Sequence, residues 1–116
     1  MAVKKMQNLN SCPMIHAMNI IGNKWSPIII YAIGDRTIRF GQLAALIDNI
    51  SRKVLAEQLK SLENEGVINR ESFAEIPPRV EYSLTEKGVD LLPILNQICA
   101  WGSTMQEEVV CEAILK

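Results

Sequence analysis

The chain has 116 residues, 48% of them apolar and 22% charged, with a formal net charge of −1. That length holds one domain, or one domain with an arm, and the composition supports a packed core and excludes a disordered chain. There is no run of about 18 apolar residues to span a membrane and no apolar stretch after the lysines of MAVKKMQNLN to make a secretion signal, so a cytoplasmic protein without a membrane partner is expected. Residues 1–11 read as a loose polar arm. Cys12 and Pro13 open a short helix to about Gly22, with Ile15, Met18 and Ile21 one turn apart and proline pre-set for the first turn. A second helix runs from about Lys24 or Pro27 to Ile33; its IIIYAI run is apolar nearly all round, as a central core helix is. GDRTIRF breaks it, and Ile38 to Phe40 fit a short strand. A third helix spans about Gly41 to Ile47, with Leu43, Leu46 and Ile47 on one side.

The fourth helix, about Arg52 to Glu65, is the best marked. Ser51 is a good N-cap, and Ile50 with Leu55 forms a hydrophobic staple. Leu55, Leu59 and Leu62 make the buried stripe, and Gly66 followed by Val67 fits a left-handed Schellman end. VINRESFAEI and RVEYSLT, separated by two prolines, read as a hairpin. Thr85 then caps a last helix, with Leu84 and Val89 as a staple and Pro93 inside it as a source of a kink near Val89. This helix ends near Gly102 or continues, and TMQE at 104–107 fits the capping box of a separate terminal helix.

The order is helix, helix, short strand, helix, helix, hairpin, helix: an α+β, mainly α, winged helix-turn-helix, in which the second helix of the pair enters the DNA major groove. Charge supports it. From Arg36 to Lys60 five cations stand against two acids, and from Glu86 to the end five acids stand against two lysines. Arg52 and Lys53 occupy the first turn of the fourth helix, where the dipole disfavours cations. DNA phosphate supplies the missing counter-charge, and arginine can also read guanine O6 and N7.

Five separated pieces carry a resemblance over about residues 12–102: CP with IIGNKW, RFGQL, ISRKVLAEQLKSLENEGVINR, PPRVEYSLTEKG, and LLPIL with WG. In this order they resemble the HxlR family of bacterial winged-helix transcription regulators, relatives of the MarR type. The resemblance implies a homodimer on a palindromic double-stranded DNA operator. The recognition helix would lie within 51–65 and the wing within 67–84. The first and last helices would form the dimer interface, joined there by a helical extension over 103–116. The sequence departs from the family at Arg52, where many relatives have proline, and at Ala56-Glu57, where threonine and glutamine are more usual. These positions lie on the reading face, so no operator sequence carries over.

The expected DNA-facing residues are Arg39, Gln42, Ser51, Arg52, Lys53, Ala56, Glu57, Lys60 and Arg79. Arg52 and Lys53 serve base and phosphate contacts, and Ser51 mainly caps. Ala56 is small enough to meet a thymine methyl. Glu57 either accepts from cytosine N4 or pairs with Lys53 or Lys60. Arg79 reaches phosphate or the minor groove from the wing, or pairs with Glu75 or Glu81. Arg39 and Gln42 flank the third helix's start, beside backbone phosphate. Trp25, Tyr31, Phe40, Tyr82 and Trp101 read as core or interface, with Trp101 also able to line a pocket in the dimer.

Cys12 sits at a helix N-terminus, an electropositive place for a thiol, with His16 one turn on. Its alternatives are an inert small cap and, from the resemblance, a sensor of oxidants or electrophiles, which would add a small-molecule effector to the partners. Cys99 reads as packing. Three cysteines so spaced suggest neither a disulfide framework nor a zinc site. One histidine, no Gly-rich phosphate loop and no paired-carboxylate motif argue against an enzyme and against a cofactor. A winged-helix module that binds proteins and not DNA is the rival reading.

Overall fold

The computed structural model describes residues 12–105. Among them the order is α1 (Pro13–Ile21), α2 (Ser26–Ile33), β1 (Ile38–Arg39), α3 (Phe40–Leu46), α4 (Arg52–Asn64), β2 (Ile68–Phe73), β3 (Arg79–Leu84) and α5 (Glu86–Ser103). This is a mainly helical fold with a small antiparallel sheet, as the sequence predicts. The arm at 1–11, Cys111 and most of the extension and capping box expected after 103 lie outside the described residues.

Helix α2 is the centre of the core. Ile29, Ile30, Ala32 and Ile33 have no solvent exposure, because other elements cover this helix on most sides. Asn23 Oδ1 caps its start, accepting from the backbone N–H of Trp25 at 3.0 Å and of Ser26 at 2.9 Å. At its end the Arg36 guanidinium donates to the Ala32 carbonyl at 2.8 Å, a cation placed on the negative end of the dipole. The Tyr31 hydroxyl donates to Asn96 Oδ1 and ties α2 to α5.

The short strand is part of the wing. The sheet order is β1-β3-β2, with Ile38 opposite Tyr82 and Arg39 opposite Glu81. The hairpin therefore gains a third strand that anchors it to the start of α3. Strand β2 stops at Phe73, short of Ile76, and residues 74–78 form the tip. The two prolines there have no N–H to give a ladder.

Both ends of the wing are locked to helices. Gly66, at φ +76°, ends α4 in a Schellman motif: Val67 N–H donates to Leu62 O and Gly66 N–H to Glu63 O, each at 3.0 Å. Thr85 accepts from Gly88 N–H at 3.2 Å and donates its hydroxyl proton to Gly66 O at 2.6 Å, so one side chain caps α5 and holds the end of α4. Three expectations need correction. Val89 is 46% exposed and does not make the staple, because the neighbouring Gly88 is the face pressed onto Val67. Leu46 is exposed, because α3 ends there and Ile47 turns inward on extended backbone. Met18 is exposed, the core taking Ile21 from that face. Helix α5 runs through Pro93 to Ser103.

A Cβ at Gly88 would lie 2.3 Å from the Val67 carbonyl oxygen, a backbone atom that cannot swing aside. Gly88→Ala is expected to cost about 1–3 kcal/mol by overpacking, seen as a lower midpoint in thermal unfolding. A midpoint equal to wild type would show that α5 can shift away freely.

Candidate nucleic-acid interface

The turn between α3 and α4 fixes how α4 is presented. Asn49 adopts φ +67°, a left-handed conformation asparagine tolerates better than most residues. Ile47 is buried on one side of it and Ile50 packs on the core on the other. The backbone then enters α4 at Ser51, whose Oγ accepts from Val54 N–H at 3.1 Å. Leu55, Leu59 and Leu62 are at most 1% exposed. This sets which side of the helix faces inward and leaves Arg52, Lys53, Ala56, Glu57 and Lys60 exposed, on an arc of about 140° at 100° per residue.

That face is open. Among the described residues the ion pairs are Arg79–Glu75 and Arg79–Glu81. Glu57 therefore pairs with neither Lys53 nor Lys60, and Arg52 and Lys53 have no carboxylate to offset the adverse dipole. Arg52 leans on the Phe40 ring, its guanidinium carbon 5.6 Å from the centroid. The contact draws the start of α4 to the start of α3, where Arg39 and Gln42 are also exposed. Gln42 Oε1 accepts from Arg39 N–H at 3.0 Å, so its carbonyl serves as a cap while its NH₂ remains a donor.

The wing presents a different arrangement. Arg79 Nη2 lies 3.2 Å from Glu75 Oε2, and Arg79 Nε lies 3.3 Å from Glu81 Oε2. The Nε contact is ionic and makes no aligned hydrogen bond. The guanidinium also sits 4.0 Å from the Phe73 ring centroid, its directly opposed cross-strand neighbour. The alternative pairing of Arg79 with the acids is thus present, and with both of them. Phe73 was not singled out in the sequence; only the hairpin register reveals that it meets Arg79.

Cys12 is half-buried and free. It precedes α1, and its carbonyl accepts from His16 N–H at 3.0 Å, but its thiol makes no cap bond. Alongside α1 lies a cavity of about 340 Å³ whose lining includes His16, Ile20, Glu65, Lys87 and Leu91. Cys99 packs half-buried against the core, but it is disulfide-bonded, where the sequence suggested no disulfide. Trp25 and Phe40 are partly buried on the core and Tyr31 and Tyr82 are buried in it, whereas Trp101 is 66% exposed. Among the described residues no three His, Cys, Asp or Glu side chains gather to hold a metal ion, and no helix is long and apolar enough to cross a membrane.

The model of the HxlR-like helix-turn-helix matches residues 20–110. The chain belongs to the HxlR family of helix-turn-helix transcriptional regulators. It is 43% identical over 99 residues to an HTH-type transcriptional regulator of Halalkalibacterium halodurans, covering 84% of this chain and 88% of the relative. Its fold is similar to that of a Porphyromonas gingivalis protein assigned to the MarR family, with a TM-score of 0.81, 40% identity, and 91% and 100% of the two chains covered. It is also similar to the redox regulator HypR in its oxidised form, with a TM-score of 0.76, 38% identity, and 84% and 100% covered. As an HxlR regulator the chain has a winged helix-turn-helix made of α3, α4 and the β1-β3-β2 sheet. The family is one of transcriptional regulators.

The turn can be tested apart from any DNA. Asn49→Val puts a β-branched residue at φ +67° and is expected to lower unfolding free energy by about 1–2 kcal/mol, while Asn49→Gly is expected to leave it within a few tenths. Equal denaturation midpoints for the two variants would remove the turn from this account.

Proposed function

We propose that this HxlR regulator acts in the cytoplasm as a homodimer on a palindromic DNA operator. Helix α4, within residues 51–65, lies in the major groove, and the wing, within 67–84, lies on the flanking backbone or minor groove. The observation that carries the reading is the exposed face of α4. Arg52 and Lys53 stand without acidic partners where the helix dipole opposes them, and the α2 core holds the face outward. Ala56, Glu57 and Lys60 face base edges, Ser51 caps the helix beside a phosphate, and Arg39 and Gln42 meet backbone phosphate at the start of α3. Arg79 serves the flank from the wing by exchanging a carboxylate for a phosphate.

Exposed apolar side chains support the dimer. Met14 and Met18 lie one turn apart on α1, and Ile94, Ile98, Trp101 and Met105 follow at helical spacing along and just beyond α5. Burying such a stripe against a second copy removes it from water and sets two α4 helices about one DNA turn, roughly 34 Å, apart.

Selection of bound duplexes from a random pool is expected to yield two inverted half-sites at that spacing. Replacing Arg52 and Lys53 together by alanine is expected to weaken operator binding at least about tenfold and to lower the slope of log affinity against log salt by about 2. Wild-type affinity and slope in that variant would overturn the reading.

Cys12 supports a redox or electrophile response. It is free, half-buried and placed at the start of a helix proposed for the dimer interface, and the fold is similar to that of HypR. Diamide accepts two hydrogens from two thiols and leaves one disulfide. Treatment is expected to change the operator affinity of the wild type several-fold and to leave Cys12→Ser unchanged; equal responses would exclude Cys12 as the sensor.

A further inference from the structure

Ser26 is the one polar residue buried to 1% exposure among the described residues, at the start of the apolar helix α2. Its hydroxyl is not needed there as a cap, because Asn23 Oδ1 already accepts from the N–H groups of Trp25 and Ser26. The hydroxyl instead joins two side chains. Asn23 Nδ2 donates to Ser26 Oγ at 2.8 Å, and Ser26 Oγ donates to Gln58 Oε1 at 3.0 Å. The Asn23 end is fixed: two backbone donors hold its carbonyl, so its NH₂ faces Ser26. The Ser26 proton is then free for Gln58 Oε1, the bond the structure shows. Gln58 lies in the middle of α4, half-buried between exposed Glu57 and buried Leu59.

Apolar burial holds α4 on α2 but has little direction of its own. A side chain reaching about 5–6 Å from the helix axis moves about 2 Å when the helix turns by about 20°. The window for a hydrogen bond to a base edge is only about 0.5 Å wide. A directional contact at mid-helix therefore decides whether the exposed face is in reading register. From this we infer that Asn23, Ser26 and Gln58 are positioning residues that hold α4 in the pose that discriminates operator from other DNA, without touching DNA themselves. The inference rests on the DNA-binding reading above.

The test compares Kd for a selected operator duplex and for a scrambled duplex of equal length. Gln58→Leu and Ser26→Ala are each expected to lower the operator-to-scrambled ratio about tenfold, the size of one good base contact, with scrambled binding within about twofold of wild type. The double variant is expected to lose no more than either single variant, because the two act through one bond. Gln58→Glu keeps the acceptor oxygen and is expected to keep the ratio, its added charge weakening both duplexes alike. An unchanged ratio in Gln58→Leu and Ser26→Ala overturns the inference, as does a parallel loss on both duplexes that tracks the thermal midpoint. Should Gln58→Leu fail to fold, Ser26→Ala, which removes a single oxygen, decides alone. A wild type with no preference for the operator overturns the DNA-binding reading itself, an outcome distinct from a selective wild type whose variants stay selective.

Discussion

The seating of Leu55, Leu59 and Leu62 on the isoleucine core of α2 is the constraint on which the rest depends. Three leucines at helical spacing remove one side of α4 from water, and a fully buried leucine is worth about 1.5–3 kcal/mol. Once that side is chosen, the opposite side is chosen too. Ile50 and Ser51 fix where α4 begins, and Gly66 with the Thr85 hydroxyl fixes where it ends. A helix so bounded cannot slide by a residue without exposing a leucine or losing a cap. The outward set that includes Arg52 and Lys53 is therefore a consequence of packing, although its chemistry is not.

Charge is handled in opposite ways on α4 and on the wing. On α4, among the described residues, the cations have no acidic partner, and Arg52 and Lys53 stand at a local cost from the helix dipole. On the wing Arg79 is held by Glu75, Glu81 and the Phe73 ring. Partly exposed pairs of this kind contribute only about 0–1 kcal/mol each, so they park the guanidinium without committing it. A phosphate offers two negative oxygens in the geometry that a guanidinium fits best. The α4 cations are thus open as they stand, whereas Arg79 would first have to give up a carboxylate to meet another anion.

The sequence was most legible where several local signals agreed. Helix α4 announces itself through cap, staple, stripe and glycine stop, each acting within a few residues, and the structure ends it at Asn64, one residue before the expected Glu65. The exposure of Arg52, Lys53, Ala56, Glu57 and Lys60 followed from the same stripe. What local signals do not carry is pairing at a distance. Ile38 and Arg39 read as strand, but nothing in two residues names Tyr82 and Glu81 as their partners. The contact of Phe73 with Arg79 depends on the hairpin register, and reading β2 as far as Ile76 hides it. Val89 has the spacing of a staple, yet the close approach of Gly88 to Val67 turns it outward. Ser26 precedes the apolar run PIIIYAI, and nothing local names its partner Gln58, 32 positions away.

The position of Asn23 gives the arrangement its coherence. Helix α1 begins after Cys12, runs nine residues and ends at Gly22, directly before Asn23. Nine helical residues span about 13 Å, so one short rigid rod separates the thiol from the first member of the hydrogen-bonded chain to α4. A Cβ on Gly22 would lie 2.2 Å from the Met18 carbonyl oxygen, so the helix ends in a close turn that leaves little slack before Asn23. A displacement of α1 that keeps this turn is carried to Asn23. From there the route is Ser26 Oγ and Gln58 Oε1, two directional bonds that tolerate far less displacement than the leucine packing beside them. Packing thus supplies most of the energy that holds α4, and the polar chain is the directional link between the end of α1 and α4.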